Sequence, residues 1–157
     1  ETVIDGIVRG RGFGATAREL RRETNLTRWK AEQLVITESV TASDDARRAG
    51  FAEHGVEYVQ RIGVLDDRIC VYCAARVGRI YKLDEAPAAL HPSDRCMSIP
   101  FRPEWREAGL VDDEWTIQNR KEIMENLEER GLKPNYGVAP FERANGLTKP
   151  PEYVWSP

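Results

Sequence analysis

The sequence lacks any apolar run approaching the about 18 residues needed to cross a bilayer, and its first residues lack the zones of a signal peptide. It has only three cysteines, and an odd number indicates a reducing compartment rather than a secreted disulfide framework. Histidine is scarcer still, with two residues, and neither is spaced with an acid as a catalytic pair. The sequence therefore predicts neither a membrane protein nor an enzyme.

The remaining composition is ordinary for a soluble globular protein. Over 157 residues, 41% are hydrophobic and 31% are charged, which is enough for one core, or a core and a small satellite. The chain begins at Glu1 without a methionine, so we expect a fragment, a processed product or the ordered part of something longer.

All three cysteines and one histidine fall within 27 residues, in the segments Cys70-Val71-Tyr72-Cys73 and His91-Pro92-Ser93-Asp94-Arg95-Cys96. Thiolate and imidazole are the ligands that zinc prefers, and a CxxC pair presents both sulfurs to one ion. We interpret the set as a structural zinc site, although iron tolerates a similar set. The ligands are predicted to be Cys70, Cys73, His91 and Cys96.

Three other interpretations of these residues are possible. A disulfide of thioredoxin type requires a βαβ context with the CxxC opening a helix, whereas here the pair follows a strand-like run. Buried cysteines without a metal are the second alternative. A catalytic zinc is the third, but four protein ligands leave no coordination position for water.

The net charge of −3 is unevenly distributed. Residues 9–30 carry seven basic side chains against two acids, whereas residues 104–129 are dominated by acids. This polarity indicates orientation on a charged partner, but helix faces are also normally solvated by charge, and the sequence leaves both interpretations open.

The N-terminal part predicts helices. Thr16, with Glu19 three residues later, is typical of a capping box for a helix ending near Glu23. Thr27 predicts the cap of a long helix that runs to about Glu53, before Gly55. Its predicted core positions are Ala31, Leu34, Val35, Ala42, Ala46 and Ala49.

Glu38 lies one turn beyond Leu34, so the same stripe predicts a carboxylate aimed at the core. A buried acid needs a partner, and we expect a basic side chain such as Arg95, or a backbone amide. A catalytic role for Glu38 is the alternative.

The middle of the chain predicts a small antiparallel sheet, and the end predicts a helix and an extended arm. The strands are predicted around residues 56–62, 79–81 and 97–99, with Asp66-Asp67 and Gly78 in the turns. Asp112 or Asp113 caps a helix to about Arg130, with Ile117, Met124 and Leu127 on one face. The proline density after it argues against further helix, and the arm's aromatic residues favour docking on its own domain or a neighbouring subunit.

The fold class predicted is therefore α+β, with residues 1–101 forming a helical and zinc-containing domain and residues 102–157 forming a C-terminal helix and arm. We expect removal of the metal to loosen the sheet rather than abolish a reaction.

These motifs resemble the C-terminal domain of the phage Mu F-like minor head protein family, the head morphogenesis proteins of tailed phages. The resemblance covers about residues 15–101 and rests on the order and spacing of the motif residues. The matching residues are Ile36-Thr37-Glu38, Val59 to Val64, Asp67, Cys70, Cys73, Gly78, Pro87, His91, Pro92, Arg95 and Cys96. Two positions depart from the family pattern: Asp94 replaces the first cysteine of the usual Cys-Arg-Cys, and Ile36 replaces the arginine before Thr-Glu.

The resemblance implies a structural virion protein that sits with the portal inside the phage head, contacts portal and capsid proteins and is made in the host cytoplasm. It implies multiple copies in an assembly, a link to DNA packaging or ejection, and no catalytic residue. Asp67, Arg95 and Glu38 are then expected to act structurally.

Two further functions remain open. A zinc-stabilised nucleic-acid-binding module would use the N-terminal arginines for phosphate contacts, with packaged DNA as partner, but the chain is acidic overall. A metal hydrolase would need a coordination position open to water.

Overall fold

The computed structural model describes residues 2–64 and 66–156. Three helices come first: α1 (Thr2–Val8), α2 (Phe13–Glu23) and α3 (Arg28–Glu53). The strands are β1 (Tyr58–Ile62), β2 (Ile80–Lys82) and β3 (Met97–Phe101), with the short helix α4 (Val71–Arg76) between β1 and β2. The chain continues with α5 (Pro103–Glu107), α6 (Asp113–Glu129) and α7 (Pro140–Ala144). The predicted α+β class is confirmed.

The sheet is antiparallel, with β1 in the centre and the order β2-β1-β3. Val59 of β1 lies opposite Tyr81 on one side and Pro100 on the other. Val59 and Tyr81 are buried together with Ala86, and Phe51 of α3 packs against them. The end of α3 is thereby fixed to the sheet.

The helices α2 and α3 pack through Ala17, Leu20, Ala31 and Val35. The Thr27 cap of α3 is confirmed, since its hydroxyl accepts the Lys30 N–H. The predicted cap at Thr16 is wrong, because α2 begins at Phe13 and Thr16 lies buried inside it.

Thr16 packs against α1. A side chain on Gly6 of α1 would approach the Thr16 hydroxyl oxygen to 2.5 Å, so only glycine allows this contact.

The inner face of α3 agrees with the predicted one at Ala31 and Val35, but the other predicted core positions are exposed: Leu34, Ala42, Ala46 and Ala49. Leu34 is 39% exposed and Glu38 is exposed, so the expected core carboxylate at Glu38 is wrong. The buried acid is Asp44, which pairs with Arg48 at 2.9 Å and accepts the Ser98 N–H. The reason is that α3 meets β3 there through polar contacts, so apolar periodicity no longer marks the inner face.

Helix α6 has the predicted bounds, and its buried face includes Leu127 of the predicted face but not Ile117. Asp112 caps it by accepting the Trp115 N–H at 2.7 Å. Ile117 is 52% exposed, whereas Ile123 and Leu127 are buried against the cysteine-bearing region. The domain boundary after Phe101 stays a prediction.

The C-terminal arm docks on its own domain. Trp155 forms a β-bridge with Ile80, whose N–H donates to the Trp155 carbonyl at 2.9 Å. Arg79 lies over the Tyr153 ring at 3.9 Å, and Arg76 forms a buried ion pair with Glu142 at 2.8 Å.

The arm also contains α7, so the expectation that its prolines prevent helix is wrong. Pro140 occupies the first turn, where its missing N–H would be unpaired in any residue. Within the described ranges, no helix combines the length and apolar character needed to cross a membrane.

Candidate metal centre

The Cys70-Val71-Tyr72-Cys73 segment forms the start of α4. Cys70 is the N-cap, and its sulfur accepts the Cys73 N–H at 3.2 Å. The expectation that this pair does not open a helix is therefore wrong. The thioredoxin-type topology is nevertheless missing from the described chain, since the flanking strands β1 and β2 are antiparallel neighbours. All three thiols are free.

The loop before β3 brings the other predicted ligands to the same place. His91 Nε2 lies 3.2 Å from Cys73 Sγ. The donor atoms of Cys70, Cys73 and His91 lie within 4.8 Å of one another, and so do those of Cys73, Asp94 and Cys96. Cys73 belongs to both groups, and the four predicted side chains lie close enough together to bind a metal ion.

The donor set fits a tetrahedral zinc ion. With Zn–S near 2.3 Å and Zn–N near 2.0–2.1 Å, tetrahedral geometry separates sulfur from nitrogen by about 3.6 Å. The Cys73–His91 separation of 3.2 Å is close to this value. His91 Nδ1 lies 2.8 Å from the Pro92 carbonyl, which can only accept, so Nδ1 carries the proton and Nε2 is available to a metal.

The cluster is also reachable. A cleft of about 360 Å³ beside it is lined by residues that include Ile36, Val64, Cys70, His91 and Arg95. An ion can therefore enter without unfolding of the core.

The electrostatics of the cluster favour a cation. A hydrogen bond from the Cys73 thiol, together with the neighbouring His91, lowers the pKa of Cys70 to about 4. The Cys70 thiolate in turn raises the pKa of His91 to about 9. The neighbouring Cys70 and Cys96 sulfurs, with burial, raise the pKa of Cys73. Three sulfurs cannot all ionise so close together unless a positive ion compensates them.

Asp94 organises the loop that carries His91 and Cys96. One carboxylate oxygen accepts the Cys96 N–H at 2.8 Å, and the other accepts the Leu90 N–H and pairs with Arg61, both at 2.9 Å. Asp94 and Arg61 are only 1% and 2% exposed. Burial alone would raise the pKa of Asp94, but Arg61 and the two amides leave it lowered. The carboxylate is therefore ionised and fixes the loop.

Two more contacts hold the loop. The Thr37 hydroxyl on α3 accepts the Ser93 N–H at 2.9 Å, where Ser93 has a positive φ of 60°. Arg95 pairs with Asp66, at 2.8 Å for one of its two hydrogen bonds. This pair lowers the pKa of Asp66.

These contacts correct the predictions made for the structural residues. Arg95 does not pair with Glu38, which is exposed. The Asp67 side chain is 85% exposed, and its neighbour Asp66 makes the contact instead. The turn that contains both residues forms, since Asp66 accepts the Arg68 N–H. That Cys70, Cys73, His91 and Cys96 are the metal ligands stays a prediction.

Sequence reasoning missed Arg61, Asp94 and the role of Thr37. A signal was present for one of them: Arg61 lies within a strand, between Gln60 and Ile62, and a buried arginine needs an acid. Asp94 stands where the family pattern has a cysteine, so the pattern indicates only a lost ligand at this position.

Comparison with known proteins shows the family of this chain. The sequence model of the family described as Phage Mu protein F like protein matches residues 1–97, more than half of the chain. The chain belongs to this family. No curated protein and no solved structure matches the chain.

Membership confirms the resemblance and extends it at the N-terminus. The expected coverage began at residue 15, whereas the match begins at residue 1 and includes α1. It ends at residue 97, directly after Cys96, so the shared part contains all four candidate metal ligands. Membership implies a role in phage head morphogenesis, which fits a virion location and virion protein partners.

Proposed function

We propose that this protein is a structural component of the phage head that contacts portal and capsid proteins and whose fold is held by one zinc ion. Family membership supports the head role. The observation that carries the metal assignment is the convergence of Cys70 and Cys73 with His91 and Cys96 from a separate loop. In this proposal the protein has no catalytic activity, is made in the host cytoplasm and acts in several copies.

The proposed zinc links two segments of the chain that also share a buried cluster. Cys73 and Cys96 belong to one buried cluster with Ile123 and Leu127 of α6. An ion bound to both cysteines therefore joins α4, the loop before β3 and the face on which α6 packs. Since the sheet has only three short strands, such a cross-link supplies stability that the small core lacks.

The proposal distinguishes structural from catalytic zinc. With Cys70, Cys73, His91 and Cys96 all bound, a tetrahedral ion has no position for water. Asp94 is held by Arg61 and two amides, so its hydrogen bonds are used to fix the loop and it is not free to act as a base.

The metal assignment is tested by elemental analysis and thermal unfolding of wild type, Cys73→Ser and the exposed-site control Ser43→Ala. We expect one zinc per chain in wild type and in the control. Cys73→Ser should lose the metal and melt more than about 10 °C lower, because structural zinc contributes folding free energy directly. An unchanged melting curve with full zinc content in Cys73→Ser would contradict the assignment.

The head role is tested separately by sedimentation of the purified protein alone and mixed with the portal protein of its phage, and by mass spectrometry of purified virions. We expect a shift to the portal fraction and a constant, small number of copies per virion. Sedimentation as the free protein, together with its absence from virions, would overturn the assembly role whatever the metal content.

A further inference from the structure

A small cleft lies between the C-terminal arm and the part of the chain that matches the family. Its volume is about 250 Å³, and two arginines and three tyrosines line it: Arg76, Arg79, Tyr81, Tyr136 and Tyr153. The arginines and Tyr81 lie within the matched residues 1–97, whereas the other two tyrosines belong to the arm. None of the described residues that line the cleft is an acid. We call this site the arginine–tyrosine cleft.

Arg79 is the unpaired cation of this cleft. Its guanidinium carbon lies 3.9 Å from the centre of the Tyr153 ring and 4.9 Å from that of Tyr136, and neither ring carries a full negative charge. Arg79 is half-buried, and its Nε–H has no acceptor among the described residues. Arg76 differs, since it pairs with Glu142 at 2.8 Å. A half-buried positive charge without a counter-charge favours the binding of an anion.

A third arginine adds positive charge beside the cleft. Arg120 of α6 is half-buried, and its guanidinium donates to the Val77 carbonyl at 2.6 Å. Burial and the nearby charge of Arg79 lower the pKa of Arg120. An anion close to both guanidinium groups would therefore relieve their mutual repulsion.

Tyr81 supplies a neutral hydrogen-bond donor to the same cleft. Burial raises the pKa of Tyr81, although the neighbouring arginines act in the opposite direction. Its hydroxyl therefore keeps the proton at neutral pH and can donate it to an acceptor. The lining is thus rich in N–H and O–H donors and poor in acceptors.

We infer that the arginine–tyrosine cleft binds a small oxyanion of the phosphate type. The edge of a guanidinium presents parallel N–H groups that match two oxygens of a phosphate. A volume of about 250 Å³ equals that of about eight molecules of liquid water, which admits a phosphate group but no bulky ligand. The site uses none of the predicted metal ligands, and the inference does not depend on the role in the phage head.

Binding should fasten the arm to the rest of the chain, because the two sides of the cleft come from different segments. The bridge beside the cleft reports this effect. The Ile80 N–H donates to the Trp155 carbonyl at 2.9 Å, and the Val154 N–H donates to the Ile80 carbonyl at 2.8 Å. Both amides should exchange with solvent more slowly when the anion is bound.

The experiment combines calorimetric titration and thermal unfolding of the full chain with inorganic phosphate and with phosphoserine, at an ionic strength kept constant with sodium chloride. An anion at about ten times its dissociation constant should raise the melting temperature by about 3–6 °C. Arg79→Gln should bind at least about tenfold more weakly, because it removes the charge and the guanidinium edge. The control Arg102→Gln removes an arginine beside another ring, that of Trp105, and should bind as wild type does.

The location is tested without any variant by amide hydrogen exchange of wild type, in which phosphate should protect Ile80 and Val154. Tighter binding of phosphoserine would assign a phosphorylated group of a partner, and tighter binding of phosphate would assign the free anion; both support the inference. Absence of binding by either compound, an equal rise in melting temperature with acetate, or protection confined to other regions would overturn it. Equal affinity of Arg79→Gln and wild type would also overturn it. None of these results bears on metal content or on incorporation into heads, which are measured separately.

Discussion

Replacement of Asp94 by asparagine removes one charge from the loop that carries His91 and Cys96. Asparagine keeps the size of the side chain but presents an NH₂ group where a carboxylate oxygen stood. That group must face either the Arg61 guanidinium or a backbone N–H, and all of these are donors. The substitution therefore breaks at least one contact and leaves Arg61 buried without a counter-charge.

The size of the effect follows from burial. Both partners are at most 2% exposed, and breaking such a pair on one side costs about 3–5 kcal/mol. In a domain of this size, each kcal/mol lowers the melting temperature by about 2–4 °C, so we expect a decrease of about 6–20 °C.

The effect should depend on pH. The pKa of Asp94 is lowered in the folded protein, so its stabilisation is present above the unfolded value of about 3.9 and is lost as the pH falls through the folded value. The difference between wild type and Asp94→Asn should therefore shrink in acid.

The assay is urea unfolding in excess zinc, with the exposed-site control Asp67→Asn. A double-mutant cycle with Arg61→Met separates the pair energy from loss of the two amide contacts. If Asp94→Asn costs no more than Asp67→Asn, or if its effect is independent of Arg61, then the loop is not held as described.

Three further predictions concern other positions. Gly63→Ala should destabilise the protein by about 1–3 kcal/mol, because its Cβ would lie 2.6 Å from Val77. Gly50→Ala has open space around it in α3 and should stabilise the protein by about 0.5–1 kcal/mol. Urea unfolding measures both changes, and effects of the same sign would contradict the packing described here. Zinc affinity, measured by competition with a chelator, should increase with pH through about 9 and beyond, since His91 with its pKa of about 9 and Cys73 with its raised pKa must both lose a proton to bind; a flat profile would argue against this ligand set. Glu38→Ala should change the free energy of unfolding by less than about 0.5 kcal/mol, whereas Asp44→Ala should lower it by more than about 2 kcal/mol. Thermal melting measures both variants, and a larger loss in Glu38→Ala would show that Glu38 is the buried acid.

Local signals were sufficient to predict several elements. The caps at Thr27 and Asp112 use side chains that accept an N–H in their own first turn, so sequence alone specifies them. The convergence of Cys70, Cys73, His91 and Cys96 was also predictable, because their residue types and spacing suit the binding of one metal ion. These contacts depend on short spacing or on a single chemical requirement.

Contacts between residues far apart in the sequence could not be predicted from local patterns. The apolar stripe of α3 pointed to Leu34, but the inner face further along is polar because Asp44 meets Ser98 of β3. Asp94 acquires its role only when β1 brings Arg61 beneath the loop. In both cases the two residues in contact lie more than 30 positions apart in the sequence. The residues flanking each one do not indicate which distant residue it contacts.

The bridge between Trp155 and Ile80 gives the outer side of the sheet a fourth, very short segment. Truncation of the chain before Pro150 would expose the backbone N–H and carbonyl of Ile80, next to Tyr81. The unpaired edge strand could then form backbone hydrogen bonds with other chains. Aggregation of such truncated variants would then be caused by this exposed sheet edge rather than by a defect in the part of the chain shared with the family.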